Sequence, residues 1–343
     1  MIKQFSALRF VLVLMVFFHH LQLYQGGGAV GVASFFVLSG FCLTLGYKDL
    51  ILNDKNKFDY LAFIKKRTIK FIPLHWICLL IVLFQSLKEG ASLNIHVLVS
   101  NTALLQSWIP REDYYFSFNA LSWYLSDTMF LSVIFPPILL LIGNMRQKTL
   151  KTSLFMLFGV YLILLLAVPS SMRHALLYIN PLCRSFDFII GIFTALAFLK
   201  LRDKEDVLNY LRKHRYLPDI VAITSILGLI FLSSIIDEKY LPIAGSFWPL
   251  IVVMILAFAF LQDTILSTVL KSKGVQVITQ STFSFYMIHI ICREQIELLV
   301  PSLSGVTMVI VVFFVTYILS QLLYYVIERY FTLHLQSWLI RNK

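Results

Sequence analysis

Apolar stretches long enough to cross a membrane recur from one end of this chain to the other. In lipid, each must satisfy its backbone groups internally, which in practice means a helix. Along the 343 residues they fall at roughly 6–24, 28–47, 71–87, 121–143, 153–170, 182–200, 219–235, 243–262, 277–299 and 305–327. The expected fold class is therefore all-α, a polytopic membrane protein of about ten transmembrane helices. Composition agrees: 59% of residues are hydrophobic and only 14% charged, and the mean hydropathy is +0.80. An ordinary soluble domain does not have this balance. The first stretch carries no small-residue cleavage site, so it reads as a span and not as a removable signal peptide. No internal repeat is visible, which argues against the repeat-built transporter folds.

Positive charge sets the expected orientation. With the N-terminus inside, cytoplasmic segments hold 22 of the 29 Lys and Arg residues. External segments hold Lys88, Arg111, Arg173, Arg184 and Lys239, while Arg9 and Arg293 lie within spans. This asymmetry places both termini in the cytoplasm. It also accounts for most of the net charge of +11, so no nucleic-acid partner is expected. The cytoplasmic stretch 48–70 gathers Lys48, Lys55 and Lys57 and ends in a dense basic run at 65–70. That run either anchors to anionic headgroups or holds the phosphates of a cytoplasmic ligand. The stretch 200–216 mixes both signs and reads as a short solvated helix. The external segment 88–120 carries polar residues every few positions and reads as an interfacial or re-entrant piece. Its Tyr114, Tyr115, Phe116 and Phe118 suit a membrane interface or a sugar-binding surface.

Ionisable groups inside spans need a reason to be there. Arg9 and His20 flank an entirely apolar run from Phe10 to Phe18. Eleven residues separate the two; at about 100° per residue they return to one helix face within about 20°, with a rise of about 16 Å. His19 points about 80° away. A cation and an imidazole on one stripe read as two ends of a path. The plain alternatives are an Arg9 that snorkels to headgroups and a core histidine at His20. Ser39 and Gly40 suit close helix packing. Arg184 and Asp187, three apart, read either as a self-neutralising pair or as groups that orient the chemistry. His289 is structural or faces a bound substrate, and Glu328 and Arg329 read as interfacial anchors. The four cysteines are scattered, so neither a disulfide nor a metal site is expected. P-loop, GxSxG and HExxH signatures are absent.

Seven segments resemble, in order, those of the acyltransferase 3 family of integral-membrane O-acyltransferases. LRFVLVLMVFFHH fits its Arg-x10-His signature through Arg9 and His20, and GVASFFVLSGF (31–41) its second span. RTIKFIPLHW (67–76) is similar to the Arg-x-x-Arg-x-x-Pro opening of the third, with Lys70 for the second Arg. SWYLSDTMF (122–130), NPLCRSFDFIIG (180–191), STFSFYMIHI (281–290) and YYVIERYF (324–331) complete the series. Two departures stand out: the usual acid after Trp123 sits one place early as Asp127, and Tyr330 stands where Pro is common.

The resemblance implies a single integral-membrane acyltransferase domain over 1–343 with no separate soluble domain, working alone or with a partner. It implies transfer of an acyl group, usually acetyl, from cytoplasmic acetyl-CoA or another acyl-CoA to a hydroxyl of a glycan or lipid-linked saccharide. A bacterial cell inner membrane is the implied location, with the lipid bilayer as partner and homo-oligomerisation left open. An imidazole titrating near neutrality suits removal of the hydroxyl proton. His20 is accordingly the expected general base, with Asp127 and Asp187 as supporting acids. Arg9, Arg67 and Lys70 are the expected donor-binding cations. Ser39, Gly40, Trp123, Arg184 and His289 are the expected substrate or structural supports, and a covalent acyl-His20 is a variant of the same scheme. The competing class is a multi-span transporter or flippase of a glycan precursor, and a silent assembly partner is a third.

Overall fold

The structure is a computed structural model that describes residues 2–54, 57–236, 244–332 and 334–335. Lys55 and Lys239, and the C-terminal residues from 336 onward, lie outside the described residues. All regular elements among those described are helical. In order they are α1 (Gln4–His20), α2 (Gly27–Leu52), α3 (Tyr60–Lys88), α4 (Ile95–Thr102), α5 (Glu112–Tyr115), α6 (Trp123–Ile142), α7 (Gln147–Ala167) and α8 (Pro181–Arg202). There follow α9 (Glu205–Lys213), α10 (Leu217–Ile235), α11 (Trp248–Ala259), α12 (Ile265–Lys271), α13 (Lys273–Thr279), α14 (Thr282–Leu299) and α15 (Gly305–Leu323). Two π-helical segments, His174–Ile179 and Tyr324–Phe331, precede α8 and continue α15.

Local chemistry explains most boundaries. Proline opens α8, α10 and α11, where a missing backbone N–H costs nothing. Asn94, Asn180 and Thr264 cap α4, α8 and α12 by accepting backbone N–H groups. Pro73 sits inside α3, and Pro136 with Pro137 inside α6, as membrane helices tolerate.

Among the described residues, seven helices are long and apolar enough to cross a membrane, or eight if α13 and α14, bent by 44° at their junction, form one span. That corrects the expected ten downward. Each expected stretch holds a helix, but two are short: α1 has 17 residues, and at about 1.5 Å per residue such a helix reaches only ~25 Å. The other is the apolar segment Gly245–Ala259. A hydrocarbon core is about 30 Å thick. Among the candidate spans α7 is the most outward-facing, with Phe155 80% and Leu166 78% exposed, surface that suits lipid. Helix α9 is solvated along its length, as its mixed charges imply.

The chain divides into two compact units, Met1–Asp59 with Val133–Thr279 and Tyr60–Ser132 with Gln280–Lys343, the boundary falling within α6. In the first unit, α2 and α8 make the tightest seam. A Cβ on Gly40 would run into the Phe188 carbonyl, and one on Gly191 into the Val37 carbonyl. Backbone thus meets backbone on both sides, the small-residue contact that membrane helices use. Helix α1 returns antiparallel on α2: Arg9 lies opposite Cys42, Leu12 and Val16 opposite Gly31, and His19 opposite Gly28. The reversal turns at Gly26, whose φ of +81° only glycine adopts readily. There Tyr24 hydrogen-bonds Ser233 and donates to the Ile230 carbonyl.

In the second unit α14 packs on α15 and α3. The expected re-entrant segment folds as α4, α5 and two 3-10 turns, knitted by buried polar groups. His75 meets the Asn101 carbonyl at 2.9 Å, and Asn101 Nδ2 donates to Ser117 at 2.6 Å. Ser122 donates to Asn101 Oδ1 at 3.4 Å and accepts from Gln106 at 3.0 Å. Non-helical backbone inside an apolar body needs this kind of internal satisfaction.

Candidate active site

The residues singled out by sequence fall in both units, and each unit has its own chemistry. In the first, Arg9 and His20 lie half-buried near the two ends of α1. Arg9 Nη2 donates to Cys42 Sγ at 3.3 Å. The His20 ring lies 5.3 Å from that of His19. Between Arg9 and His20 the same stripe of α1 is filled by Val13 (0% exposed) and Val16 (1%). Within the α1–α2 hairpin the two ends of the path are therefore separated by packed valine. Ser39 is half-buried and Gly40 fully buried on α2, and Gly40 serves the α8 seam as expected.

Arg184 and Asp187 on α8 are both almost wholly buried. Arg184 Nη1 pairs with Asp187 Oδ2 at 2.9 Å and Nη2 donates to the Leu177 carbonyl at 2.7 Å. Trp248 Nε1 donates to Asp187 Oδ1 at 2.5 Å. Tyr178 stacks under the guanidinium at 5.3 Å. Both carboxylate oxygens are thus engaged by groups of the first unit, and Leu177 lies in the π-helical turn before α8. Through Trp248 the pair ties α8 to α11.

In the second unit Arg67 and Lys70 flank Phe71 on the basic end of α3, the guanidinium 4.8 Å and the amine 5.3 Å from the ring centre. Arg67 Nε also donates to Ser132 Oγ at 3.1 Å. Trp123 and Asp127 sit one turn apart on α6, 4% and 0% exposed. His289 on α14 contacts two carbonyls of its own helix through Nδ1, Tyr286 at 2.8 Å and Phe285 at 3.3 Å. A carbonyl only accepts, so Nδ1 carries the proton and Nε2 is the acceptor nitrogen.

Three features escaped sequence reading. Cys42 was one of four scattered cysteines, and only the antiparallel register brings it to Arg9. Glu328, read as an interfacial anchor, instead accepts from Ser284 N at 3.1 Å and Ser284 Oγ at 2.5 Å, capping the start of α14. The His75–Asn101–Ser122 network was hinted at only by the spacing of polar residues in 94–122.

The acyltransferase domain family model matches residues 2–325. The chain belongs to the acyltransferase 3 family. Among curated relatives, Acyltransferase MdmB of Streptomyces mycarofaciens is 34% identical over 114 residues, 32% of this chain and 28% of that protein. That match spans under a third of either protein. No solved structure matches significantly. Family membership together with the apolar helices makes this an integral membrane protein of the acyltransferase class.

Proposed function

We propose that this chain is a membrane O-acyltransferase that moves an acyl group, acetyl in the simplest case, from cytoplasmic acyl-CoA to a hydroxyl of an envelope glycan or lipid-linked sugar. The observation that carries this reading is the family match over residues 2–325, which includes both Arg9 and His20. The similarity to Acyltransferase MdmB supports the same class.

His20 is the general base. Its neutral imidazole takes the proton of the acceptor hydroxyl as that oxygen attacks the thioester carbonyl; the carbon–sulfur bond then breaks and the CoA thiolate leaves. Arg9 grips a donor phosphate or orients the thioester. In the covalent variant, His20 first takes the acyl group from the thioester and then yields it to the hydroxyl. Arg67 and Lys70 are candidate phosphate contacts, each to be tested on its own. Asp127 is the candidate supporting acid. Asp187, engaged by Arg184 and Trp248, fits a supporting role to the fold better than one in proton transfer.

Purified protein in nanodiscs with radiolabelled acetyl-CoA tests the proposal. Label should pass to envelope glycan with wild type, and His20→Ala should abolish transfer while acetyl-CoA binding persists. Absence of binding and of transfer with wild type, across several acyl-CoAs, would overturn it in favour of a carrier.

A further inference from the structure

A cavity of about 180 Å³ opens in the first unit, room for more than a single water. Its walls come from the final turns of α2, α6 and α8 and the start of α7: Ile142, Met145, Leu150, Leu196 and Leu199 form the apolar part. Lys48, Lys200 and Asp203 supply its charged groups. All four helices are long and apolar enough to cross a membrane. Their ends therefore lie at headgroup depth, where an apolar wall beside amines suits an amphipathic anion.

Charge points the same way. The cavity and the 146–151 connection beside it carry Lys48, Arg146, Lys148, Lys151 and Lys200 against Asp203 alone. Asp203 is itself partnered by Arg202 at 3.4 Å, and Lys48 reaches Asp49 only at a loose 3.7 Å with its side chain 30% exposed. Among the described residues neither amine is thus consumed by a tight pair, and both can take a phosphate as point charges.

The geometry points to a binding site for the phosphate headgroup of an anionic phospholipid, held by Lys48 and Lys200 with its upper acyl chain against Leu196 and Leu199. The site is independent of the proposed transfer chemistry and uses none of its residues.

Native mass spectrometry of protein released from nanodiscs of phosphatidylcholine with one-third phosphatidylglycerol reads the site directly. Wild type should retain phosphatidylglycerol in preference to phosphatidylcholine. The double variant Lys48→Gln/Lys200→Gln should lose that preference by roughly thirtyfold, the order expected for two amines at an anionic surface. Lys48→Arg/Lys200→Arg should keep it, which separates lost charge from lost fold. Equal retention of both lipids by wild type, or undiminished preference in the Gln variant, would overturn the assignment. So would displacement of the lipid by millimolar inorganic phosphate, which would mark a site for a free anion.

Discussion

At the scale of the residue, the decisive contrast is between groups held tightly and groups left half-open. Arg184 and Asp187 are held: each is buried and committed to the other, to Leu177 and to Trp248. Removing one partner strands a charge in the interior, at a cost of about 3–5 kcal/mol. Asp187→Ala should therefore lower the midpoint of thermal unfolding sharply, while the apolar pair Arg184→Met/Asp187→Leu should restore much of it. His20 and Arg9 are instead only half-buried. For His20→Ala the expected loss in transfer rate is about 10²–10⁴-fold, the range for a positioned acid–base group, with the fold intact by unfolding midpoint. Arg9→Ala should chiefly weaken acetyl-CoA binding, read by isothermal titration, and Arg9→Lys should restore charge without the planar fork.

Elements are governed by where backbones approach and where helices begin. Gly40→Leu would place a branched side chain where α8 carbonyls already lie. Overpacking of this kind costs about 1–3 kcal/mol, and the same cost should appear for Gly191→Leu in the same melting assay. Glu328→Ala removes the cap on α14 at a cost of about 1 kcal/mol, whereas Glu328→Gln keeps an acceptor and should lose less. The sequence reading got the existence of the helices right because long apolar runs carry that signal by themselves. The contact between Arg184 and Asp187 was legible because three residues on one helix is a local relation, although the sequence left open whether the pair also orients the chemistry. The sequence reading could not foresee Cys42 beside Arg9, Glu328 at Ser284 or His75 at Asn101, since those contacts join residues 33, 44 and 26 positions apart and depend on packing register. The span count came out high because length was judged from apolar character, while α1 ends at its imidazoles after 17 residues.

For the whole molecule, the proposed orientation rests on charge: the positive-inside rule expects the basic segments to face the cytoplasm. A cysteine introduced at Asn209 on the solvated α9 should react with an impermeant maleimide only in inside-out vesicles, and one at Gly90 after α3 only in right-side-out vesicles, in a background lacking the native cysteines. The reverse pattern would place the basic segments outside. The valines that fill the stripe between Arg9 and His20 carry a consequence at this same scale. With Val13 and Val16 packed and no polar residue from Phe10 to Phe18, α1 offers no relay along which a proton taken up at one end could reach the other. A base working at His20 would release what it collects to its own side. Acyl traffic would then run without short-circuiting the ion gradient stored across the membrane.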